Sequence, residues 1–149
     1  MAAGTLKELP PWASELVEAA RVAHLGLVDP DGRPRVMPVT FARVGASLWS
    51  AIDSKPKRAH GEDVARVRWL RASPHAALTI DRYDDDWSRL AWVQIACAAA
   101  VAPVEGHGEV LDALAARYAA YRSEPPPGPL IELRPRRILF WSASISSSG

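Results

Sequence analysis

Apolar positions recur at two different spacings along this chain. Leu16, Val17, Ala20 and Ala23 fall at intervals of three and four, with Glu15, Glu18 and Arg21 between them, which predicts a helix over Trp12–Ala23. Pro10 and Pro11 stand just ahead of it, where a helix start tolerates proline. A second helical pattern covers Glu62–Leu70, with Val64, Val67, Trp69 and Leu70 apolar. Arg66, Arg68 and Arg71 are interleaved with it, and Ser73-Pro74 stops it. A third runs from Gly108 to Tyr121, with Val110, Leu111, Leu114, Tyr118 and Tyr121 on one side, and ends in the stiff Pro125–Pro129 loop.

Between the helices lie short, branched apolar runs that predict strands. His24–Val28 leads into the turn Asp29-Pro30-Asp31-Gly32. Arg35–Phe41 follows, with Pro38 marking an edge or a bulge because it cannot donate to a ladder. Gly45 turns the chain into Ser47–Ile52, so these three strands read as an antiparallel meander. Ala76–Ile80 and the long run Ala91–Val101 add two more, separated by the acidic loop Asp81–Trp87. Leu130–Leu133 and Ile138–Trp141 form a last strand or strand pair kinked near Pro135, and the tail from Ser144 is small and polar. About six antiparallel strands with three helices set between them predict an α+β, mainly β architecture. Short connections favour a small barrel over an open sheet.

A length of 149 residues suits one domain spanning 1–149, with an ordered core over about 10–143. The net charge of +1 implies no general attraction to polyanions. Cys97 is the single cysteine, so an intrachain disulfide and a cysteine metal cage are both excluded. The N-terminus has no secretion-signal pattern, and no apolar run reaches membrane-spanning length. The cytoplasm is therefore the expected address.

The candidate chemistry centres on Ser50-Ala51-Ile52-Asp53-Ser54-Lys55-Pro56-Lys57-Arg58. There a strand hands over to clustered cations and then to a helix start. Lys55, Lys57 and Arg58 supply charge-assisted hydrogen bonds suited to a phosphate or carboxylate, and Arg35 and Arg66 join them if the fold brings them near. The other reading is a solvated basic loop. Of the six tryptophans, Trp87 and Trp92 bracket a polar loop and are the first candidate ligand neighbours, Trp141 near the chain end is a lesser one, and the rest suit cores or interfaces. Asp84-Asp85-Asp86 reads as a solvated turn or an arginine salt bridge, and the four histidines show no zinc spacing. Cys97 reads as a buried hydrophobe. The chain holds no dinucleotide-binding G-x-G-x-x-G, no phosphate-binding loop and no nucleophile elbow. Chemistry, if present, is expected to belong to a cofactor.

Four segments, taken together, carry a family likeness. They are Ala23–Pro34, Val36–Phe41, the Ala51–Arg58 loop and Asp81–Val93, the last including Asp85-Asp86-Trp87-Ser88-Arg89-Leu90-Ala91-Trp92-Val93. In these the chain resembles the pyridoxamine 5'-phosphate oxidase-like flavin and deazaflavin oxidoreductases, and most of all their F420-dependent actinobacterial branch. The likeness runs over about residues 10 to 143. It departs from the family pattern in the Val64–Ser73 helix and at Gln94 and Cys97.

The resemblance implies a split β-barrel, a homodimer with cofactor sites at the subunit interface, and coenzyme F420 as cofactor, with FMN as the alternative. It implies hydride transfer to a small electron-poor substrate. The residues themselves predict no nucleic-acid partner, from the near-neutral charge and single compact basic cluster, no membrane partner, from the lack of a spanning apolar run, and no metal, from the lack of a ligand pattern. By position, Lys55, Lys57 and Arg58 would hold the cofactor phosphate. Pro38, Val39, Thr40, Ser50, Ala51 and Ile52 would line the ring, and Trp87 and Trp92 would come from the second subunit. Thr40 is a candidate proton source. The rivals of a different class are a non-catalytic flavin, deazaflavin or haem binder and a small-barrel nucleic-acid module, the second opposed by the near-neutral charge and the single compact basic cluster.

Overall fold

The computed structural model describes residues 1–55 and 59–146. Lys57 and Arg58 therefore lie outside the described residues. In chain order the elements are β1 (Ala2–Ala3), α1 (Pro11–Ala19), β2 (Ala23–Val28), β3 (Pro34–Val39), β4 (Ala42–Val44), β5 (Ser47–Ala51), α2 (Ala65–Ala72), β6 (His75–Arg82), β7 (Ala91–Ala102), α3 (Gly108–Arg117), α4 (Ala119–Ser123), β8 (Leu130–Ser142) and α5 (Ala143–Ser146). All strand pairs are antiparallel.

The hydrogen-bonded order is β3-β2-β6-β7-β8-β5-β4, with β1 added on β8. The two ends of that path, β3 and β4, are neighbours in sequence, separated only by Thr40 and Phe41. Laid flat, seven strands would hold their outer members roughly 29 Å apart, whereas the link between Val39 and Ala42 reaches about 11 Å at most. The sheet must curl until its edges meet at Thr40-Phe41. No ladder joins β3 to β4 among the described residues, so the barrel is split along that seam. The mainly β, α+β split barrel expected from sequence is the observed fold.

The curled sheet encloses the larger core, which includes Leu25, Leu27, Val39, Phe41, Leu48, Ile52, Leu78, Ile80, Val93, Ile95, Ile131 and Ile138. On β7 the alternation is regular: Ala91, Val93, Ile95 and Cys97 point inward, while Trp92, Gln94 and Ala96 point outward. A second, smaller core lies outside the barrel, where Val110, Leu114, Tyr118 and Tyr121 cover Ala42, Trp49, Ala51 and Leu130. Thus β5 is buried on both sides, with every residue from Ser47 to Ala51 shielded.

Several expectations are corrected. The three-strand meander is not formed: β5 pairs with β4 and β8, not with β3. The missing partner is β4, three residues that turn back through Gly45, whose φ of 61° favours glycine. The first helix ends at Ala19, and Ala23 already belongs to β2. Its terminal carbonyls are taken from a distance: the Arg117 guanidinium donates to Glu18 O at 2.6 Å and also to Ala20 O.

The third helix is broken at Tyr118, which is extended at φ −124° and ψ 115°. Its hydroxyl is anchored to the seam, accepting from Phe41 N at 3.1 Å and lying 3.1 Å from Phe41 O and 2.9 Å from Arg21 O. The last strand is continuous, and the kink near Pro135 is a bulge. Ala96 pairs with Arg137 and Cys97 with Pro135, leaving Arg136 unmatched. No described helix is long and apolar enough to cross a membrane.

Candidate functional site

The seam of the barrel opens into a cleft of about 390 Å³, lined by Val22, Pro38, Val39, Thr40, Ser50, Ala51, Asp53, Lys55 and Arg66. Four pieces of chain converge there: Val22 in the link between α1 and β2, the end of β3, the end of β5 with its following loop, and α2. Stitching them together, Ser50 Oγ donates to Thr40 O at 2.7 Å. A second cleft of about 330 Å³ shares Thr40, Asp53 and Lys55 and adds Ser54, Tyr118, Ala120, Tyr121 and Glu124.

Asp53 is the buried charge between the two clefts, 8% exposed. Its Oδ1 accepts from Lys55 N at 3.2 Å, and its Oδ2 takes the Tyr121 hydroxyl at 2.6 Å and the Lys55 ammonium. Tyr121 Oη in turn lies 2.7 Å from Thr40 Oγ1. Burial and the Asp53 hydrogen bond raise the Tyr121 phenol above its ordinary value, against the opposing pull of Thr40 and Lys55, so the group stays protonated.

Burial pulls the Lys55 ammonium down. The Asp53 hydrogen bond and the charges of Tyr121 and Asp53 outweigh that and leave it raised. Arg66 is lowered by burial, with Asp53 and Tyr121 opposing, and its Nε is buried with no hydrogen-bond partner. A buried, unpaired guanidinium N–H is costly to leave unsatisfied, and in a cleft that Lys55 also lines it suits an anionic ligand.

Of the residues expected at a cofactor, Pro38, Val39, Thr40, Ser50, Ala51 and Lys55 share this one cleft. Ile52 does not line it: the side chain is 1% exposed in the barrel core, and its backbone bonds to Pro129 O and Gly128 N. Trp87 and Trp92 are also away from the cleft of their own chain, 70% and 36% exposed. Arg66 joins the cleft, but Arg35 does not. Arg35 stacks over the Trp69 ring at 4.8 Å and pairs with Asp29 at 3.5 Å.

The acidic loop is structural, with Asp84 bridging Arg89 at 3.2 Å and Asp86 accepting from Ser88 N. Among the described residues no group of three or more His, Cys, Asp or Glu side chains is placed to hold a metal ion. Cys97 is buried, and burial pushes its thiol up to about 12. Sequence reading missed Asp53 and Tyr121 as site residues. Tyr118 and Tyr121 sit three apart on an apolar helix face, and only the contact with the seam separates them from ordinary core.

The sequence pattern of the pyridoxamine 5'-phosphate oxidase family matches residues 9–142. The chain belongs to that family. The match covers the whole cleft wall and all of both cores except Ala3 and Leu6. Solved structures repeat the fold of this family member at low identity. A conserved hypothetical protein, Rv2991, from Mycobacterium tuberculosis is 15% identical, covers 97% of this chain and 91% of its own, and has a TM-score of 0.76. A protein described as an F420 reductase is 24% identical, with 88% and 98% coverage and a TM-score of 0.68. HutZ, a haem storage protein from Vibrio cholerae, is 17% identical, with 90% and 94% coverage and a TM-score of 0.69. At these identities the likeness establishes the fold. No curated protein matches the chain.

The cleft also fits a phosphorylated planar ring on its own terms. Its volume lies in the range of small-molecule sites. One wall is extended β3 and β5 chain carrying small side chains, and Lys55 and the unpartnered Arg66 Nε supply an anion's donors.

Proposed function

We propose that this protein is a coenzyme F420-dependent oxidoreductase that works as a homodimer, with the cofactor seated in the seam cleft. The observation that carries the reading is the joining, in one cleft, of the β3 and β5 wall with the Lys55 and Arg66 cations. Family membership and the F420 reductase of the same fold support it.

When bound, the reduced deazaflavin supplies a hydride to a small electron-poor substrate. The chain's own residues bind and orient. Lys55 and Arg66 hold the phosphate, with Lys57 and Arg58 next along the same loop as further expected partners. Pro38, Val39, Thr40, Ser50 and Ala51 flank the ring and keep water from that side. The Asp53 carboxylate holds Lys55 in place. Catalysis then rests on positioning and water exclusion more than on side-chain acid–base chemistry.

Trp87 and Trp92 of a second subunit close the cleft in this reading. The outer barrel face favours such pairing. Val36, 71% exposed, lies in register with Gly26, Ala77 and Ala96, a row of small apolar residues that a partner can cover.

FMN in the same cleft is the second reading, because the phosphate donors serve either cofactor and a FAD-binding protein from Mesorhizobium loti shares the fold. The deciding assay follows oxidation of reduced F420 by the purified protein with a panel of activated enones and quinones. Protein-dependent oxidation supports the proposal. Turnover with FMN alone transfers the assignment to the second reading, and none with either cofactor removes the enzymatic one.

A further inference from the structure

The hydroxyl groups in the cleft wall have their protons already assigned. Asp53, ion-paired with Lys55, offers only acceptor oxygens, so Tyr121 is the donor in the 2.6 Å bond between them. A phenol has one proton. In the 2.7 Å contact between Thr40 Oγ1 and Tyr121 Oη, Thr40 must therefore donate. Ser50 has likewise given its proton to Thr40 O at 2.7 Å. Thr40 and Ser50 both line the cleft, and each has only lone pairs left for a ligand. Lys55 and Arg66 line the same cleft with only protons to offer.

We infer that the seam cleft selects a ring whose edge carries an N–H donor, accepted by Thr40, on a ligand whose anionic group meets Lys55 and Arg66. Asp53 and Tyr121 act as the positioning pair that sets this polarity. The inference rests on the flavin-type reading above and narrows it. A pyrimidinedione ring offers an imide N–H of this kind. A haem spends its pyrrole nitrogens on iron and offers no edge donor. The same polarity makes Thr40 an acceptor in the resting site, where the sequence suggested a proton source.

The test is equilibrium titration of the full chain and of Thr40→Val, Thr40→Ser and Tyr121→Phe. The probes are F420 and FMN, each alone and methylated on the ring's imide nitrogen. The wild type is expected to prefer the unmethylated forms by about tenfold, the scale of one hydrogen bond. Thr40→Val narrows the preference to about threefold or less, and Thr40→Ser restores it. Tyr121→Phe also narrows it, because Thr40 is then free to turn its proton outward. A preference that survives unchanged in Thr40→Val, as a plain steric clash of the methyl group would give, overturns the inference, and so does a wild type that binds both forms alike. If neither F420 nor FMN binds the wild type, the flavin-type reading itself has failed.

Discussion

The Tyr121 hydroxyl donates to the Asp53 carboxylate at 2.6 Å, joining α4 to the loop after β5 across 68 residues of chain. This bond fixes the floor shared by the two clefts. Removing the hydroxyl in Tyr121→Phe leaves a buried carboxylate short of one donor. The expected loss is about 1–3 kcal/mol of folding stability, read as a shift in a urea or guanidinium unfolding midpoint.

The same pair gives a pH dependence. The Tyr121 phenol and the Lys55 ammonium both have folded values above their ordinary ones. Their contribution is therefore full at neutral pH and falls as the pH rises through the folded values, from about pH 10 upward. Unfolding curves at pH 8 and pH 11 should show the stability difference between wild type and Tyr121→Phe shrinking at the higher pH. A difference that stays constant or widens would contradict the assignment.

Arg117 holds the end of α1 from the far side of the seam. It donates to Glu18 O and Ala20 O, and its guanidinium lies 4.9 Å from the Phe41 ring centre. Arg117→Ala should cost about 1.5–3 kcal/mol, the scale of hydrogen bonds from a charged donor. Amide exchange should quicken in the last turn of α1 while the Leu78–Ile95 region of the barrel keeps its protection.

Cys97 faces the barrel core, 4% exposed, with its thiol raised to about 12 by burial. The native protein at pH 8 should react with a thiol-specific disulfide reagent only through unfolding, and denaturant should release one thiol per chain. Fast native labelling would place the side chain elsewhere.

The strands were readable from short branched apolar runs and, on β7, from a regular alternation in which Val93 and Ile95 go in and Trp92 and Gln94 go out. The pairing was not. The proximity of β3 to β4, which closes the seam, comes from curling of the sheet, and three residues of β4 are too few to show a period. Helix ends were misjudged where tertiary contacts decide them: Arg117 stops α1, and the Tyr118 hydroxyl on Phe41 breaks α3 from α4. The cations clustered in the Ala51–Arg58 loop marked it in sequence as a candidate anion site, and the fold brings Lys55 of that loop into the seam cleft with Arg66. Asp53 and Tyr121 were not so marked, since a carboxylate beside a lysine and a tyrosine on a helix face are ordinary until the fold joins them.

The central claim is that the seam cleft binds a phosphorylated flavin-type ring through Lys55 and Arg66. Its most direct measurement is calorimetric titration of the wild type, Lys55→Ala and Arg66→Ala with F420, FMN and haemin. Saturable binding of F420 or FMN is expected, weakened about 10- to 100-fold for each cation removed, with haemin bound more weakly by the wild type. Haemin binding without either phosphorylated ring, or affinities unchanged in both variants, would contradict the account.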